Sequence, residues 1–471
     1  MSRLVIDLST LLQWHGPAVG ITRCQQQYAL YAYQNIPGTV FTVFDPSQLC
    51  LRPISHHLVE SVIEGRTKLY LGMSKIPGET KVRFVDTIPQ SLRMPFFWLT
   101  KFRRTLALAL EERRIAAVSP IAASRWARLQ ERILSPKLRR VFFDDRGQRV
   151  NLPSLDQLAG QALQFGKNDV TVAIQNDWTH TAIGPILDQR DRTGSRHVVL
   201  CHDIIPIRFP EWFAPHDVVA FRRYFDLAFA RADRCVFTSR NTMKDVEQHC
   251  LANGLEMPDC RIVPLGSNPF IPITQPSPLP AMLHPNRFAL FVSTLEPRKN
   301  HRLLIRVWRQ LIEDGTIGRS GFKLVFVGRK GWMMDELFAE LEGDAMLSST
   351  VIHLEGVDDA RLNSLYEAAA FCLYPPLYEG FGLPPVEALQ HGKALIASNT
   401  GPIPEIVGDF AICLDPNDEQ AWTRRLRAWL TGDAEPRRLA AHTKAVFQSV
   451  TWSQSARLFF EAALSSTSRP H

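Results

Sequence analysis

Short apolar runs alternate along the chain with longer amphipathic segments, and this alternation is clearest in the C-terminal half. Runs with the length and apolar content of buried parallel strands lie there at about 288–293, 323–327, 351–354, 371–374, 394–398 and 411–414. Helical segments separate them. This rhythm predicts a doubly wound α/β domain, which binds its ligands at the carboxyl ends of the strands.

The N-terminal half shows the same alternation less regularly, with predicted strands at 4–8, 170–174, 197–201 and 234–238. A chain of 471 residues is too long for one ordinary core and suggests two α/β domains. Six prolines between 265 and 286 are typical of a stiff connector. We predict an N-terminal domain over 1–270, a linker over 271–286, a C-terminal domain over 287–450, and a final helix and tail over 451–471.

Composition narrows the class of protein. An apolar share of 45% and a charged share of 21% are those of a globular protein in water. The eight cysteines are scattered without a Cys-x-x-Cys pair, which favours a reduced, cytoplasmic protein over a disulfide framework or a zinc site. No run approaches the ~20 apolar residues of a spanning helix, and the N-terminus lacks a signal-peptide core. We expect a cytoplasmic protein, soluble or peripheral on the inner face of the cytoplasmic membrane.

The net charge of +7 suits a polyanionic ligand or an anionic membrane surface. Nucleic acid ranks last as a partner, because the chain has no nucleic-acid motif and no basic low-complexity tail. Residues 101–140 hold eleven Lys or Arg against three Glu, within a poorly patterned insertion at about 95–165. This stretch predicts peripheral contact with anionic lipid, although a solvated helical face explains it as well.

A strand, a glycine-rich loop and a helix follow one another at residues 371–392. Pro375 and Pro376 end the strand, and Pro384 begins the helix. Glu379 and Glu387 flank the loop Gly380-Phe381-Gly382-Leu383. Taken singly, Glu379 is a solvated loop charge and Glu387 complements the helix dipole. Together with the glycines, they describe a rim that could hold sugar hydroxyls.

Two further stretches carry candidate chemistry at strand ends. Arg298 and Lys299 lie just before a helix predicted to begin near 301, which suits a diphosphate, although both could be solvated charges. His202-Asp203-Ile204-Ile205-Pro206 follows the predicted strand 197–201. His202 is a site candidate, and the alternative is a hydrogen-bonded core histidine. Asp203 is predicted to be structural.

These stretches together resemble the retaining glycosyltransferases of GT-B fold, the family-four group. Glu379 and Glu387 have the spacing of that family's Glu-x7-Glu motif, and Glu-Pro-Arg-Lys-Asn at 296–300 and His-Asp-Ile-Ile-Pro at 202–206 match two more motifs. Many relatives carry a Gly-Arg pair a few residues before the Glu-Pro-Arg-Lys-Asn motif, where this chain has Val292-Ser293. Without that arginine, Arg298 and Lys299 would neutralise more of the charge of the diphosphate. The residues of these motifs resemble most those of bacterial mannosyltransferases of O-antigen or exopolysaccharide assembly.

The resemblance implies two Rossmann-like doubly wound domains facing a cleft, with the C-terminal helix crossing back to the N-domain. A nucleotide-diphosphate-sugar, with GDP-mannose favoured, would bind mainly to the C-domain without a metal or another cofactor. The implied donor-binding residues are Arg298, Lys299, Glu379, Gly380, Phe381, Gly382, Leu383 and Glu387. His202, Glu379 and Lys299 are the implied catalytic residues. Gly20, Thr22 and Arg23 would line the acceptor side, although a helix start with a solvated Arg23 explains them equally well.

The function so implied is retaining transfer of a hexose, with mannose favoured, to a lipid-linked polysaccharide or oligosaccharide such as lipopolysaccharide. A sugar-phosphate synthase or phosphorylase on the same fold is one alternative. A non-catalytic binding subunit is the other, and the joint presence of Glu379, Lys299 and His202 argues against it.

Overall fold

The computed structural model describes residues 3–14, 20–69, 151–174, 178, 182–267 and 277–466, with shorter pieces between 102 and 150. The chain divides into two compact units, Met1–Arg196 and His197–His471. Linker residues 271–276 and part of the basic stretch 101–140 lie outside the described residues. The predicted domain limits therefore stay a prediction.

The first unit contains a sheet with the strand order β3-β2-β1-β4. Strand β1 pairs in parallel with β2 and β4, whereas β2 and β3 are antiparallel. The strands bury Val5, Phe44 and Leu51 against Leu163 and Ile186. The elements are β1 (Leu4–Asp7), α1 (Ser9–Gln13), α2 (Ile21–Asn35), β2 (Val40–Asp45), β3 (Cys50–Pro53), α3 (His56–Ile63), α4 (Pro120–Ile133), α5 (Leu155–Leu158), β4 (Val170–Ala173) and α6 (Ile183–Thr193).

The second unit opens with three parallel strands in the order β5-β6-β7. Ser239 begins the helix after β6, because its side chain accepts the N–H of Thr242 at 3.0 Å. The elements are β5 (Arg196–Cys201), α7 (Ile205–Arg208), a 3₁₀ turn (Pro210–Trp212), α8 (Pro215–Arg231), β6 (Arg234–Phe237), α9 (Arg240–Asn253) and β7 (Asp259–Ile262).

A six-stranded parallel sheet follows in the order β10-β9-β8-β11-β12-β13. Its strands lie within about one residue of the predicted positions, because each reads as a mainly apolar run. The inner strands are largely buried, whereas the edge strands β10 and β13 are mostly half-buried. The elements are β8 (Phe288–Val292), a 3₁₀ turn (Pro297–Lys299), α10 (His301–Glu313), α11 (Thr316–Ser320), β9 (Lys323–Val327), α12 (Asp335–Gly343), α13 (Ala345–Thr350), β10 (Val351–Leu354), α14 (Asp359–Ala368), β11 (Phe371–Tyr374), α15 (Leu383–Gln390), β12 (Leu395–Ser398), α16 (Ile403–Val407), a 3₁₀ turn (Gly408–Phe410), β13 (Ala411–Leu414), α17 (Glu419–Leu430) and α18 (Glu435–Val446).

The last helix, α19 (Trp452–Leu464), returns to β6, as the sequence predicts. Arg234 of β6 is fully buried and donates to the Ala462 carbonyl and to Ser465 Oγ. A Cβ on Gly266 would lie 2.4 Å from the Cα of Trp452, so this approach requires glycine. The predicted architecture of two Rossmann-like parallel sheets with a returning C-terminal helix is confirmed.

Among the helices in the described residues, none has the length and apolar character needed to cross a membrane.

We expect Arg234→Ala to lower the free energy of unfolding by about 3 kcal/mol, because it removes a buried charge partner of Asp259 and the donors to α19. Arg261→Ala is the matched control, because Arg261 pairs with the same carboxylate but its side chain is 47% exposed. That change should cost less than about 1 kcal/mol. Urea unfolding measures both values, and equal losses would show that the buried pair does not hold α19.

Candidate functional site

The loops that follow β8 and β11 meet, because these strands are neighbours in the sheet. The 3₁₀ turn Pro297–Lys299 follows β8 and ends at Asn300, whose φ is +61°. The N–H of Leu377, in the loop after β11, donates to the carbonyl of Arg298 at 2.7 Å. This backbone contact brings Arg298 and Lys299 beside the loop that carries Glu379.

Five side chains form an ion cluster at this point: Glu296, Arg298, Lys299, Tyr374 and Glu379. Arg298 contacts Glu379 Oε1 through Nη1 at 2.9 Å and Glu296 Oε1 through Nη2 at 2.8 Å. Lys299 Nζ forms an ion pair with Glu379 and donates to the Tyr374 hydroxyl at 3.1 Å. The Tyr374 hydroxyl donates to Glu379 Oε1 at 3.0 Å. Glu379 thus accepts from two cations and one phenol.

Burial and charge act in opposite directions on these groups. Burial raises the pKa of Glu379, but Arg298 and Lys299 outweigh it and lower the pKa to about 2. Burial lowers the pKa of Arg298, but Glu379 and Glu296 outweigh it, so the net shift is upward. Burial and the neighbouring Arg298 lower the pKa of Lys299 more than Glu379 raises it. Glu379 is therefore ionised and Arg298 charged at neutral pH.

Gly380 packs against the residues that follow β5. A Cβ on Gly380 would lie 2.6 Å from Asp203 Oδ2 and 2.7 Å from the His202 carbonyl oxygen, so no other residue fits. The structure therefore brings the His-Asp pair against the predicted donor loop, residues 375–382 between β11 and α15. His202 is buried, and its carbonyl accepts from the Thr238 hydroxyl at 3.1 Å. The catalytic role of the His202 ring stays a prediction.

The remaining predicted donor residues lie at the start of α15. Phe381 is buried, Leu383 is the first helical residue, and Gly382 has φ +91°. Pro384 and Pro385 have no N–H, so the first turn of α15 offers few backbone donors to an anion.

Glu387 faces a different neighbour. Its Oε2 accepts from the Tyr366 hydroxyl of α14 at 3.1 Å. Gly20, Thr22 and Arg23 lie at the start of α2 in the first unit, where Gly20 is exposed and Thr22 is buried. The roles given to all four residues stay predictions.

Sequence reasoning did not single out Glu296 and Tyr374 as members of the cluster. Tyr374 is the last residue of a strand whose carboxyl end faces the site, and this position was the available signal. Asp203 was predicted to be structural, and its Oδ1 accepts the N–H of Ile205 at 3.0 Å. Burial raises the pKa of Asp203 more than Arg298 lowers it. In the described part of the chain, no three or more His, Cys, Asp or Glu are placed to hold a metal ion.

The pKa of Glu379 gives a pH test. Because the folded state lowers that pKa from 4.5 to about 2, the ion cluster stabilises the fold fully above about pH 4.5, and this contribution falls as the pH approaches 2. Wild type should exceed Glu379→Gln in free energy of unfolding by about 3 kcal/mol at neutral pH. This difference should shrink steadily from pH 4.5 to pH 2.5 in urea titrations.

The control for this test is Glu461→Gln, which alters an exposed carboxylate paired with Arg457 on α19. It should change little at any pH. A Glu379→Gln deficit that stays constant down to pH 2.5 would contradict the charge assignment.

Comparison with known proteins finds similarity in the part of the chain that holds Arg298, Lys299 and Glu379. Residues 282–446 match the family model of glycosyl transferases group 1. O-antigen chain mannosyltransferase B of Escherichia coli is 37% identical over 147 residues, which cover 31% of this chain and 38% of that protein. Serotype-specific mannosyltransferase WbdA of Escherichia coli is 24% identical over 330 residues, which cover 64% of this chain and 38% of that protein. The chain thus spans less than two fifths of the length of these relatives.

Solved structures resemble the whole chain. The structure of Anabaena Alr3699/HepE in complex with UDP and glucose has a TM-score of 0.55 at 12% identity, covering 98% of this chain and 99% of that one. Sucrose-phosphate synthase from Thermosynechococcus elongatus has a TM-score of 0.54 at 15% identity, covering 98% of both chains. At these identities the likeness shows the fold alone, which is the predicted GT-B fold. Residues 282–446 of this chain are thus similar to the glycosyl transferases group 1 family.

Proposed function

We propose that this protein is a retaining glycosyltransferase that moves a hexose from a nucleotide-diphosphate-sugar to a lipid-linked polysaccharide or oligosaccharide. The observation that carries the proposal is the ion cluster, in which Glu379 lies between Arg298 and Lys299 next to Gly380. The match of residues 282–446 to the family model of glycosyl transferases group 1 supports it. Mannose, with GDP-mannose as donor, is favoured because the relatives named above are mannosyltransferases.

On this proposal, donor binding replaces Glu379 with the diphosphate as the partner of Arg298 and Lys299. Arg298 and Lys299 donate to Glu379 in the structure, and both are the cations that a diphosphate needs. A diphosphate that takes these donors leaves the carboxylate of Glu379 free to accept from sugar hydroxyls. The same three side chains would then hold both ends of the sugar–phosphate bond.

The leaving group is stabilised by charges that are already in place. Negative charge grows on the diphosphate as the sugar departs, and buried cations interact with it more strongly than solvated ones. Lys299 is 8% exposed and Glu379 is 6% exposed, so water screens this site weakly. His202 would support the positive charge that develops on the sugar.

We propose a front-face displacement for the transfer step. The acceptor hydroxyl bonds to the anomeric carbon on the face that the diphosphate leaves, the carbon–oxygen bond to phosphate breaks, and the acceptor proton passes to the leaving phosphate oxygen. Asp203 is a carboxylate close to the donor loop. Its Oδ1 accepts the N–H of Ile205 at 3.0 Å, which agrees with a structural part for this carboxylate and leaves the displacement without a covalent intermediate.

The lipid-linked acceptor places the reaction at a membrane surface. The basic residues of the stretch 101–140 support peripheral contact of this protein with anionic lipid on the cytoplasmic side.

We expect Lys299→Ala, Glu379→Gln and His202→Ala each to reduce sugar transfer from GDP-mannose by about 100-fold, because each removes a group that meets the reacting sugar or its diphosphate. Lys323→Ala is the matched control, because Lys323 donates to the Ser349 carbonyl at the opposite end of β9 from the site. Its turnover should match wild type. Release of GDP in the presence of membrane lipid extract measures all four variants.

The same assay separates the rival activities. Wild-type turnover in all three site variants would contradict the assigned roles. Faster transfer to free mannose 6-phosphate than to lipid-linked acceptor would point to a sugar-phosphate synthase. A thermal-shift screen with GDP, UDP, ADP and their sugars identifies the donor base.

Co-sedimentation with vesicles tests the membrane contact. We expect binding to vesicles with 30% phosphatidylglycerol to exceed binding to pure phosphatidylcholine by roughly tenfold, and to weaken at high salt. Replacement of Arg125, Arg128 and Arg132 by Gln on α4 should reduce this preference. Equal binding to both vesicle types would assign the basic residues to a solvated face.

A further inference from the structure

Tyr378, the residue before Glu379, is held by side chains from α7 and α9. Its hydroxyl donates to Asp245 Oδ2 at 2.6 Å and accepts from Asn241 Nδ2 at 2.8 Å. Arg208 forms an ion pair with Asp245, and its guanidinium carbon lies 5.2 Å from the centre of the Tyr378 ring. The ring of Phe209 packs on the Tyr378 ring with centroids 4.9 Å apart. These contacts lie outside the ion cluster.

The start of α9 makes two further contacts, one with the loop after β11 and one with α16. The Thr242 hydroxyl donates to the Gly380 carbonyl at 3.2 Å. The carboxylate of Glu405, on α16, accepts the backbone N–H groups of Arg240 and Asn241 at 3.0 and 3.3 Å. The first turn of α9 therefore anchors the chain on both sides of Glu379.

An anchor is needed here because glycine weakens the loop. Gly380 and Gly382 follow Glu379, and glycine loses more backbone freedom on ordering than any other residue. Arg298 Nη1 also donates to the Tyr378 carbonyl at 3.3 Å, so the backbone of Tyr378 lies against the same cation that binds Glu379. A shift of the Tyr378 ring would move Glu379 relative to Arg298.

We propose that Tyr378 is a positioning residue for sugar-nucleotide binding, whose hydroxyl holds Glu379 between Arg298 and Lys299 by tying the donor loop to α9. This inference rests on the proposed function. Tyr378 acts through Glu379 and does not itself touch the donor. Its effect on binding therefore requires an intact Glu379 carboxylate.

A double-mutant cycle tests this dependence. Tyr378→Phe keeps the ring packing and removes the hydroxyl, and we expect it to weaken GDP-mannose binding by about tenfold in calorimetry, because a hydrogen bond to a charged partner is lost. In a Glu379→Gln background the same change should weaken binding by less than about twofold. Asp245→Asn, which alters the hydroxyl's acceptor, should repeat this pattern. The same binding measurements are made with UDP-glucose as with GDP-mannose.

The controls separate positioning from folding. Tyr224→Phe removes a phenol hydroxyl from α8 and should leave binding unchanged. Melting temperature reports whether Tyr378→Phe is folded, and Asp245→Asn carries the test if it is not. Equal losses with and without the Glu379 carboxylate, or no loss at all, would overturn the inference while the proposed function stands. A wild type that binds neither donor overturns the proposed function and the inference with it.

Discussion

The shared carboxylate of Glu379 is the interaction on which the site depends. It is buried, and it accepts from Arg298, Lys299 and Tyr374 at once. Burying charges costs several kcal/mol per ion, and a pair of this kind often adds little net stability over an apolar replacement. Net stability alone therefore does not account for a buried ion cluster at the carboxyl ends of two neighbouring strands, and the proposed function gives it a role in binding a diphosphate. The pKa of Glu379, lowered to about 2, keeps the carboxylate charged throughout the physiological range.

The rest of the site is formed by loops whose backbones lie close together. Gly380 lies against Asp203 and the His202 carbonyl, and a Cβ on Gly401 would lie 3.0 Å from the carbonyl oxygen of Glu379. Between the loops that follow β8 and β9, a Cβ on Gly328 would overlap the Ser293 carbonyl oxygen, 1.9 Å away. Glycines at these points let the loops lie closer together than side chains permit. Packing between loops thus accounts for Gly328, Gly380 and Gly401, in addition to any room that glycine leaves for a ligand.

The sequence predicted β1, β4, β5, β6, the six strands of the C-terminal sheet and the meeting of residues 298–299 with 379, because buried parallel strands read as apolar runs and their carboxyl ends share one edge. It did not predict β2 and β3. Nor did it predict how side chains are oriented at that edge. Spacing placed Glu379 and Glu387 on either side of the glycine loop, but it did not indicate that the Glu387 carboxylate accepts from Tyr366 on α14. The Tyr378–Asp245 bond joins residues 133 positions apart. Such a contact depends on how α9 packs, and no local pattern encodes it.

Two kinds of contact hold the donor loop, and they differ in what happens to them when a diphosphate binds. The bonds of Arg298 and Lys299 to Glu379 use the N–H groups that the diphosphate takes, so on the proposed mechanism they are exchanged away. The bonds of Tyr378 to Asp245 and Asn241 involve no donor-binding group, so they persist. A loop held only by its ion pairs would lose its anchor at the moment Glu379 must face the sugar. On the inferred role of Tyr378, its hydroxyl supplies an anchor that is independent of the ligand's charge, and the ring is accordingly turned toward α9 and away from the ion cluster.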